Sequence, residues 1–135
     1  MCWGGVKENR KIAEHNIKTR KVLMYDSVRD RLTAFYHDEF VYELGKLYKQ
    51  EINEVECNPF IIIQEGFHSY NYERPITKSL TETTIYSVLA TYRTHIKTLI
   101  PTLVECTIPK GSVYYENDYN EIVSNCLIID SIIEL

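Results

Sequence analysis

Two short segments of the chain place aromatic rings, cations and amides beside glycine. Residues 66–74 read Gly-Phe-His-Ser-Tyr-Asn-Tyr-Glu-Arg, and residues 108–117 read Ile-Pro-Lys-Gly-Ser-Val-Tyr-Tyr-Glu-Asn. Aromatic rings offer flat faces for stacking, Arg and Lys attract anions, and glycine lets backbone N–H groups approach a ligand closely. We therefore predict one ligand pocket formed by both segments, with nine candidate residues: Phe67, His68, Tyr70, Tyr72, Arg74, Lys110, Ser112, Tyr114 and Asn117.

Arg74 is the preferred anion contact of this pocket. It precedes Pro75, which favours an extended conformation that projects the guanidinium from the loop. Tyr70 and Tyr72 alternate, so an extended segment places both rings on one side, and a guanidinium beside stacking rings suits nucleotide recognition. An exposed ion pair in a loop is an equally good interpretation of Arg74. Lys110 is expected to add charge, although its segment lacks the spacing of a phosphate-binding loop.

No catalytic pattern accompanies the candidate pocket. His68 and Ser69 are neighbours, but a nucleophile needs a base at hydrogen-bond distance and a third group that orients the base. The four cysteines and four histidines are scattered without the spacing of a zinc site. We therefore predict no catalytic residues, no metal and no cofactor, and we expect a binding protein rather than an enzyme.

Length and charge narrow the class of protein. With 135 residues, the chain is expected to form a single domain over 1–135, with residues 1–16 as a flexible arm. The net charge of −4 argues against binding to duplex nucleic acid. No apolar run approaches the roughly 20 residues that span a membrane, and the N-terminus lacks the core of a signal peptide. A cytoplasmic protein without a membrane partner is predicted.

Periodicity predicts the elements that position the pocket. Residues 17–25 favour a strand that forms a hairpin with residues 32–36, and residues 60–63 favour a short buried strand. In the strand at 102–108, alternation places Val104, Cys106 and Ile108 inward. Apolar residues recur at helical spacing in one further segment, at Ile85, Val88, Leu89, Tyr92, Ile96 and Leu99. The predicted fold class is α+β, an antiparallel or mixed sheet packed by one main amphipathic helix at about 80–99.

Tyrosine content and an apolar tail predict self-association. The chain has eleven tyrosines against four phenylalanines, and its last residues, 127–135, are mostly aliphatic. One helix is not expected to cover this much apolar surface, and a self-associating terminal strand would hide it. We therefore expect a homo-oligomer.

Several patches of the sequence resemble small uncharacterised proteins of phages and prophages of gut bacteria. These patches include Lys21-Val22-Leu23, Gly66-Phe67-His68-Ser69 and Ile108-Pro109-Lys110-Gly111-Ser112. Proteins of this kind are similar to the Thoeris anti-defence sponge proteins, which sequester immune signals derived from cyclic nucleotides or ADP-ribose without cutting them. The resemblance implies a nucleotide-binding phage protein in the cytoplasm of a bacterial host, whose partner is a small anionic ligand.

Two other functions remain open at this stage. The order of Arg20, Ser69 and Glu121 is similar to that of the NAD-site residues in ADP-ribosyltransferase folds, although the Glu-x-Glu or Gln-x-Glu pattern of that family is missing. The similarity implies an inactive enzyme-like fold. A protein-interaction module that inhibits a host protein is the third hypothesis.

Overall fold

The chain forms two antiparallel β-sheets. A computed structural model describes residues 3–6, 10–34, 40–57, 60–71, 99–116 and 121–134. The strands are β1 (Trp3–Val6), β2 (Arg10–Ile12), β3 (Ile17–Asp26), β4 (Arg31–Thr33), β5 (Val41–Tyr42), β6 (Leu47–Lys49), β7 (Asn53–Cys57), β8 (Phe60–Glu65), β9 (Phe67–Asn71), β10 (Leu99–Ile108), β11 (Val113–Glu116), β12 (Glu121–Ser124) and β13 (Cys126–Glu134). The smaller sheet has the order β1-β8-β7, and the larger has the order β2-β11-β12-β9-β3-β10-β13-β6 with β4 and β5 branching from β3.

The predicted α+β class is wrong. Over the described ranges the chain contains no helix, and the larger sheet is a curled antiparallel sheet. The helix predicted at about 80–99 lies outside the described residues except for Leu99, which begins β10. The prediction rested on the helical spacing of apolar residues from Ile85 to Leu99 and on the need of such a helix to bury its apolar stripe against strands. Here the curl lets residues of distant strands, such as Phe67 of β9 and Ile129 of β13, bury one another in one core cluster.

Strands β3 and β10 form the centre of the larger sheet. They pair along ten residues each, from Ile17 opposite Ile108 to Asp26 opposite Leu99. The predicted hairpin between residues 17–25 and 32–36 is confirmed, because Met24 of β3 pairs with Thr33 of β4. Val104, Cys106 and Ile108 are fully buried, as their alternation predicts. We call the face that carries these three side chains the inner face.

The β3–β10 ladder turns a corner and continues as the β2–β11 ladder. At the corner the Ala13 N–H donates to the Ser112 carbonyl at 2.9 Å, and the Gly111 N–H donates to the Ala13 carbonyl at 2.8 Å. Gly111 has a φ of 90°, a conformation that glycine adopts without strain. The corner returns β11 towards β12 and β9, so the sheet folds back over its own inner face. Residues 3–6 and 10–12, within the segment predicted as an arm, are strands of the two sheets.

Both outermost strands of the larger sheet are short and basic. Strands β2 and β6 each have three residues, and each carries a lysine, Lys11 or Lys49. Short strands and lysines at a sheet edge discourage pairing with the edge of another chain. No helix among the described residues is long and apolar enough to cross a membrane.

Candidate functional site

Strand β9 carries three of the nine predicted pocket residues. Phe67 is only 2% exposed and belongs to the core cluster, so its ring is a packing group of the inner face. His68 is half-buried on the opposite face, because side chains alternate along a strand. Tyr70 is also half-buried, and its backbone pairs with Arg20 on one side and Glu121 on the other.

The second predicted segment lies on the corner and on β11. Lys110 is exposed in the turn, and its backbone N–H donates to Asn16 Oδ1 at 2.9 Å. Ser112 is buried, and its hydroxyl donates to the Pro109 carbonyl at 2.6 Å, so this hydroxyl stabilises the turn. Tyr114 is half-buried against the core cluster. Among these three residues, the exposed Lys110 can contact anions from solvent, whereas Ser112 stabilises the turn.

The two segments meet at their C-terminal ends. Strand β12 separates β9 from β11, and Phe67 and Tyr114 both pair with Ser124 from its two sides. At the far end, Asn71 Nδ2 donates to Glu116 Oε2 at 2.9 Å across β12. Asn71 and Glu116 directly precede Tyr72 and Asn117 in the chain. The predicted contacts Tyr72, Arg74 and Asn117 themselves lie outside the described residues.

His68 and Ser69 do not form a catalytic pair. Ser69 is 2% exposed on the inner face, whereas His68 occupies the other face of the same strand. Burial, with the positive charge of Lys21 nearby, lowers the pKa of His68 to about 4. The imidazole is therefore neutral at pH 7, and it stands on the wrong side of β9 to take a proton from Ser69.

The three residues of the ADP-ribosyltransferase-like interpretation do not lie on the same face of the sheet. Arg20, Tyr70 and Glu121 stand in one row across β3, β9 and β12, on one face of the sheet. Ser69 neighbours Tyr70 in sequence and so occupies the other face. An NAD site that needs Arg20, Ser69 and Glu121 together is not assembled by this register.

Lys21 is a functional candidate that the sequence patterns missed. It pairs with the buried Val104 of β10 and therefore belongs to the inner face. Its Nζ donates to the His68 carbonyl oxygen at 2.5 Å, and it has no carboxylate within ion-pair distance among the residues that the structure describes. Burial lowers the pKa of Lys21 to about 8. The available signal was a lysine at an inward position of β3, between Thr19 and Leu23.

Hydroxyl and thiol groups surround Lys21 on the inner face. Thr19 is fully buried and pairs with Cys106 on β10, whose thiol pKa is raised by burial to about 12. The Ser69 hydroxyl is buried and finds no hydrogen-bond partner in the described part of the chain. A protonated thiol and two hydroxyls are polar but neutral, so they do not balance the charge of the Lys21 ammonium.

A different lysine on the opposite face is fully paired. Lys18 Nζ lies 3.1 Å from Asp130 Oδ2 and 3.6 Å from Glu105 Oε1, and Thr107 also donates to Asp130. The hydrogen bond that Lys18 donates to Asp130 is the main reason that the pKa of Lys18 is raised. This network crosses β3, β10 and β13 and links these strands. Lys18 therefore has carboxylate partners, which distinguishes it from Lys21.

No protein-family model, curated protein or solved structure matches the chain.

Proposed function

We propose that the protein binds, without converting it, a small anionic ligand derived from a nucleotide, at the end of the sheet where β9 and β11 finish. Arg74 and Lys110 supply positive charge, and Tyr70 and Tyr72 supply stacking surfaces. In the proposed role the ligand is an immune signal, which a homo-oligomeric phage protein sequesters in the cytoplasm of its bacterial host.

The observation that carries this proposal is the hydrogen bond between Asn71 and Glu116. It holds the C-terminal ends of both candidate segments together at 2.9 Å between side-chain atoms, although the segments are 45 residues apart in sequence. Since one strand separates β9 from β11, their backbones lie about 10 Å apart. That separation suits a small ligand that contacts both candidate segments.

The placement of His68 and Ser69 on opposite faces of β9 favours binding over catalysis at this strand. His68 is neutral at pH 7, and Ser69 lies on the other side of the strand. The described residues contain no group of three or more His, Cys, Asp or Glu side chains arranged to hold a metal ion. The separation of His68 from Ser69 is the observation that supports a protein that retains its ligand intact.

Ligand recovery distinguishes sequestration from turnover. The protein is incubated with cyclic dinucleotides, cyclic trinucleotides, cyclic ADP-ribose isomers and NAD, separated from free ligand by ultrafiltration, and denatured. We expect at least one cyclic ligand to be retained and released with unchanged mass. Conversion of NAD or of a retained ligand would overturn the proposal in favour of an enzyme. Retention of none of these compounds would contradict the claim that the ligand is derived from a nucleotide.

A further inference from the structure

Strands β3 and β9 part immediately before Lys21. They pair through Thr19 with Asn71 and through Arg20 with Tyr70, and no further. On the same side of β3, pairing resumes only at Met24, with β4. Lys21 is therefore the first residue of β3 beyond the β9 ladder. By continuation of the register, Ser69 stands across the gap from it, on the same inner face.

The gap contains a cation with no counter-ion among the described residues. The ammonium of Lys21 is bonded to the His68 carbonyl, a neutral dipole, and its strand neighbours on the inner face are Thr19 and Leu23. On β10, the ionisable group that acts on Lys21 is the thiol of Cys106, which burial keeps protonated at pH 7. A half-buried ammonium without an anion is unfavourable, since desolvation is not offset by attraction to an opposite charge.

Ser69 supplies a second unsatisfied group at the same place. Its hydroxyl is buried and unpartnered among the residues that the structure describes. A buried hydroxyl without a partner is destabilising, and such groups in folded proteins call for an explanation such as a ligand, a water or an ion. An anionic oxygen in the gap would accept from both the ammonium and the hydroxyl.

We propose that Lys21 and Ser69 form an anion site on the inner face between β3 and β9, which takes one phosphate or carboxylate group. The observations behind this site, at Lys21 and Ser69, are separate from the Asn71–Glu116 hydrogen bond that supports the proposed nucleotide pocket. The anion site therefore does not depend on whether the natural ligand is a nucleotide. Thr19 lies beside it on β3 as a further hydroxyl. The bond from Lys21 to the His68 carbonyl positions the ammonium across the gap before an anion arrives.

Inorganic phosphate and acetate are the probes that test the site. The thermal midpoint of the wild-type protein is measured at constant ionic strength while chloride is replaced by phosphate or acetate, because an anion that binds the folded state raises the midpoint. We expect a saturable rise with at least one of the two anions. The rise should be lost in Lys21→Met, which keeps the length of the side chain, and reduced in Ser69→Ala. It should persist in Lys49→Met, which removes an exposed lysine from β6.

A second measurement keeps the test decisive if Lys21→Met does not fold. In wild-type protein with ¹³C-labelled lysine, the NMR shift of the Lys21 side chain reports its titration with and without the anion. Binding should raise the Lys21 pKa and leave that of Lys49 unchanged. An anion response equal in Lys21→Met and wild type, or no anion-specific response at all, would overturn the site.

The outcome is separable from that of the proposed function. Suppose that Lys21→Met abolishes the rise of the thermal midpoint with phosphate or acetate, but no ligand of the cyclic nucleotide panel binds. The anion site then stands and the nucleotide function fails. If nucleotides bind with equal affinity to wild type and Lys21→Met, and neither anion stabilises the wild type, the nucleotide function stands and the anion site fails.

Discussion

The ammonium of Lys21 lies 2.5 Å from the carbonyl oxygen of His68, at the point where β3 and β9 part. This contact joins a side chain of the inner face to the backbone of β9. It also brings Lys21 close enough to His68 for the charge of Lys21 to act on the imidazole. Burial is the main cause of both pKa shifts, and the charge of Lys21 lowers the pKa of His68 further. Stability should therefore respond to pH at both ends of the neutral range.

The first prediction is that Lys21→Met stabilises the protein at pH 7 in the absence of a bound anion. Replacing a half-buried charge that has no counter-ion among the described residues with an apolar side chain of similar length should raise the free energy of unfolding by about 1–3 kcal/mol. Urea unfolding measures the change, with Lys49→Met as the exposed control. A destabilised Lys21→Met would mean that the bond to the His68 carbonyl outweighs the desolvation of the ammonium.

The same variant should show a characteristic pH dependence. Lys21 has a pKa of about 8 in the folded state and 10.5 as the reference value, so the unfolded chain binds more protons between these limits. Wild-type stability should therefore rise relative to that of Lys21→Met as the pH increases from 8 to 10.5. The comparison with the variant is needed because the raised pKa of Cys106 acts in the opposite direction above about pH 9. A constant difference between the two proteins over this range would contradict a depressed Lys21 pKa.

A third prediction concerns acid stability and His68. Its pKa is about 4 in the folded protein against 6.5 as the reference, so the unfolded chain binds more protons between these values. Stability should fall as the pH drops from 6.5 to 4, by at most about 3 kcal/mol from this group alone. In His68→Gln that part of the loss should disappear, whereas the exposed control His15→Gln should lose stability as the wild type does. Equal acid sensitivity in both variants would remove the assignment to His68.

Gly66→Ala should be strongly destabilising. Gly66 has a φ of 136°, and a Cβ added there would lie 2.6 Å from Cγ1 of Val123. Gly45, with a φ of 79°, meets nothing within 4 Å. Both alanine variants carry backbone strain of about 1–3 kcal/mol, but only Gly66→Ala adds a steric clash. Chemical denaturation should show a larger loss for Gly66→Ala, and Val123→Ala should recover part of it. Equal losses at Gly66 and Gly45 would contradict the close approach.

Self-association is expected to involve the apolar end of β13. Ile132 and Ile133 are 38% and 44% exposed there, and Leu44 and Leu47 are also exposed near the neighbouring β6. Light scattering should give a mass above that of the monomer, and Ile133→Lys should lower it. Val28→Lys, in the exposed turn between β3 and β4, is the matched control. A monomeric wild type at high micromolar concentration would remove this prediction.

Alternation of apolar and polar residues predicted the strands at 17–25 and 102–108. It did not predict that the strands form a curled sheet. The inward positions Val104, Cys106 and Ile108 and the β3–β4 hairpin followed from pattern and proximity. The pairing of β9 with both β3 and β12 joins segments far apart in sequence, and their register depends on the tertiary fold. For this reason the position of Ser69 across the gap from Lys21 could not be predicted from the sequence.

Calorimetric titration of the cyclic dinucleotides, cyclic trinucleotides and cyclic ADP-ribose isomers into the wild type and Arg74→Ala tests the central claim most directly. We predict saturable binding of at least one ligand by the wild type and a 10- to 150-fold weaker affinity, about 1.5–3 kcal/mol, in Arg74→Ala, because a charged hydrogen bond to phosphate is lost. The exposed control Arg29→Ala should bind as the wild type does. A wild type that binds none of these ligands would contradict the nucleotide function, and equal affinity in Arg74→Ala would place the site elsewhere.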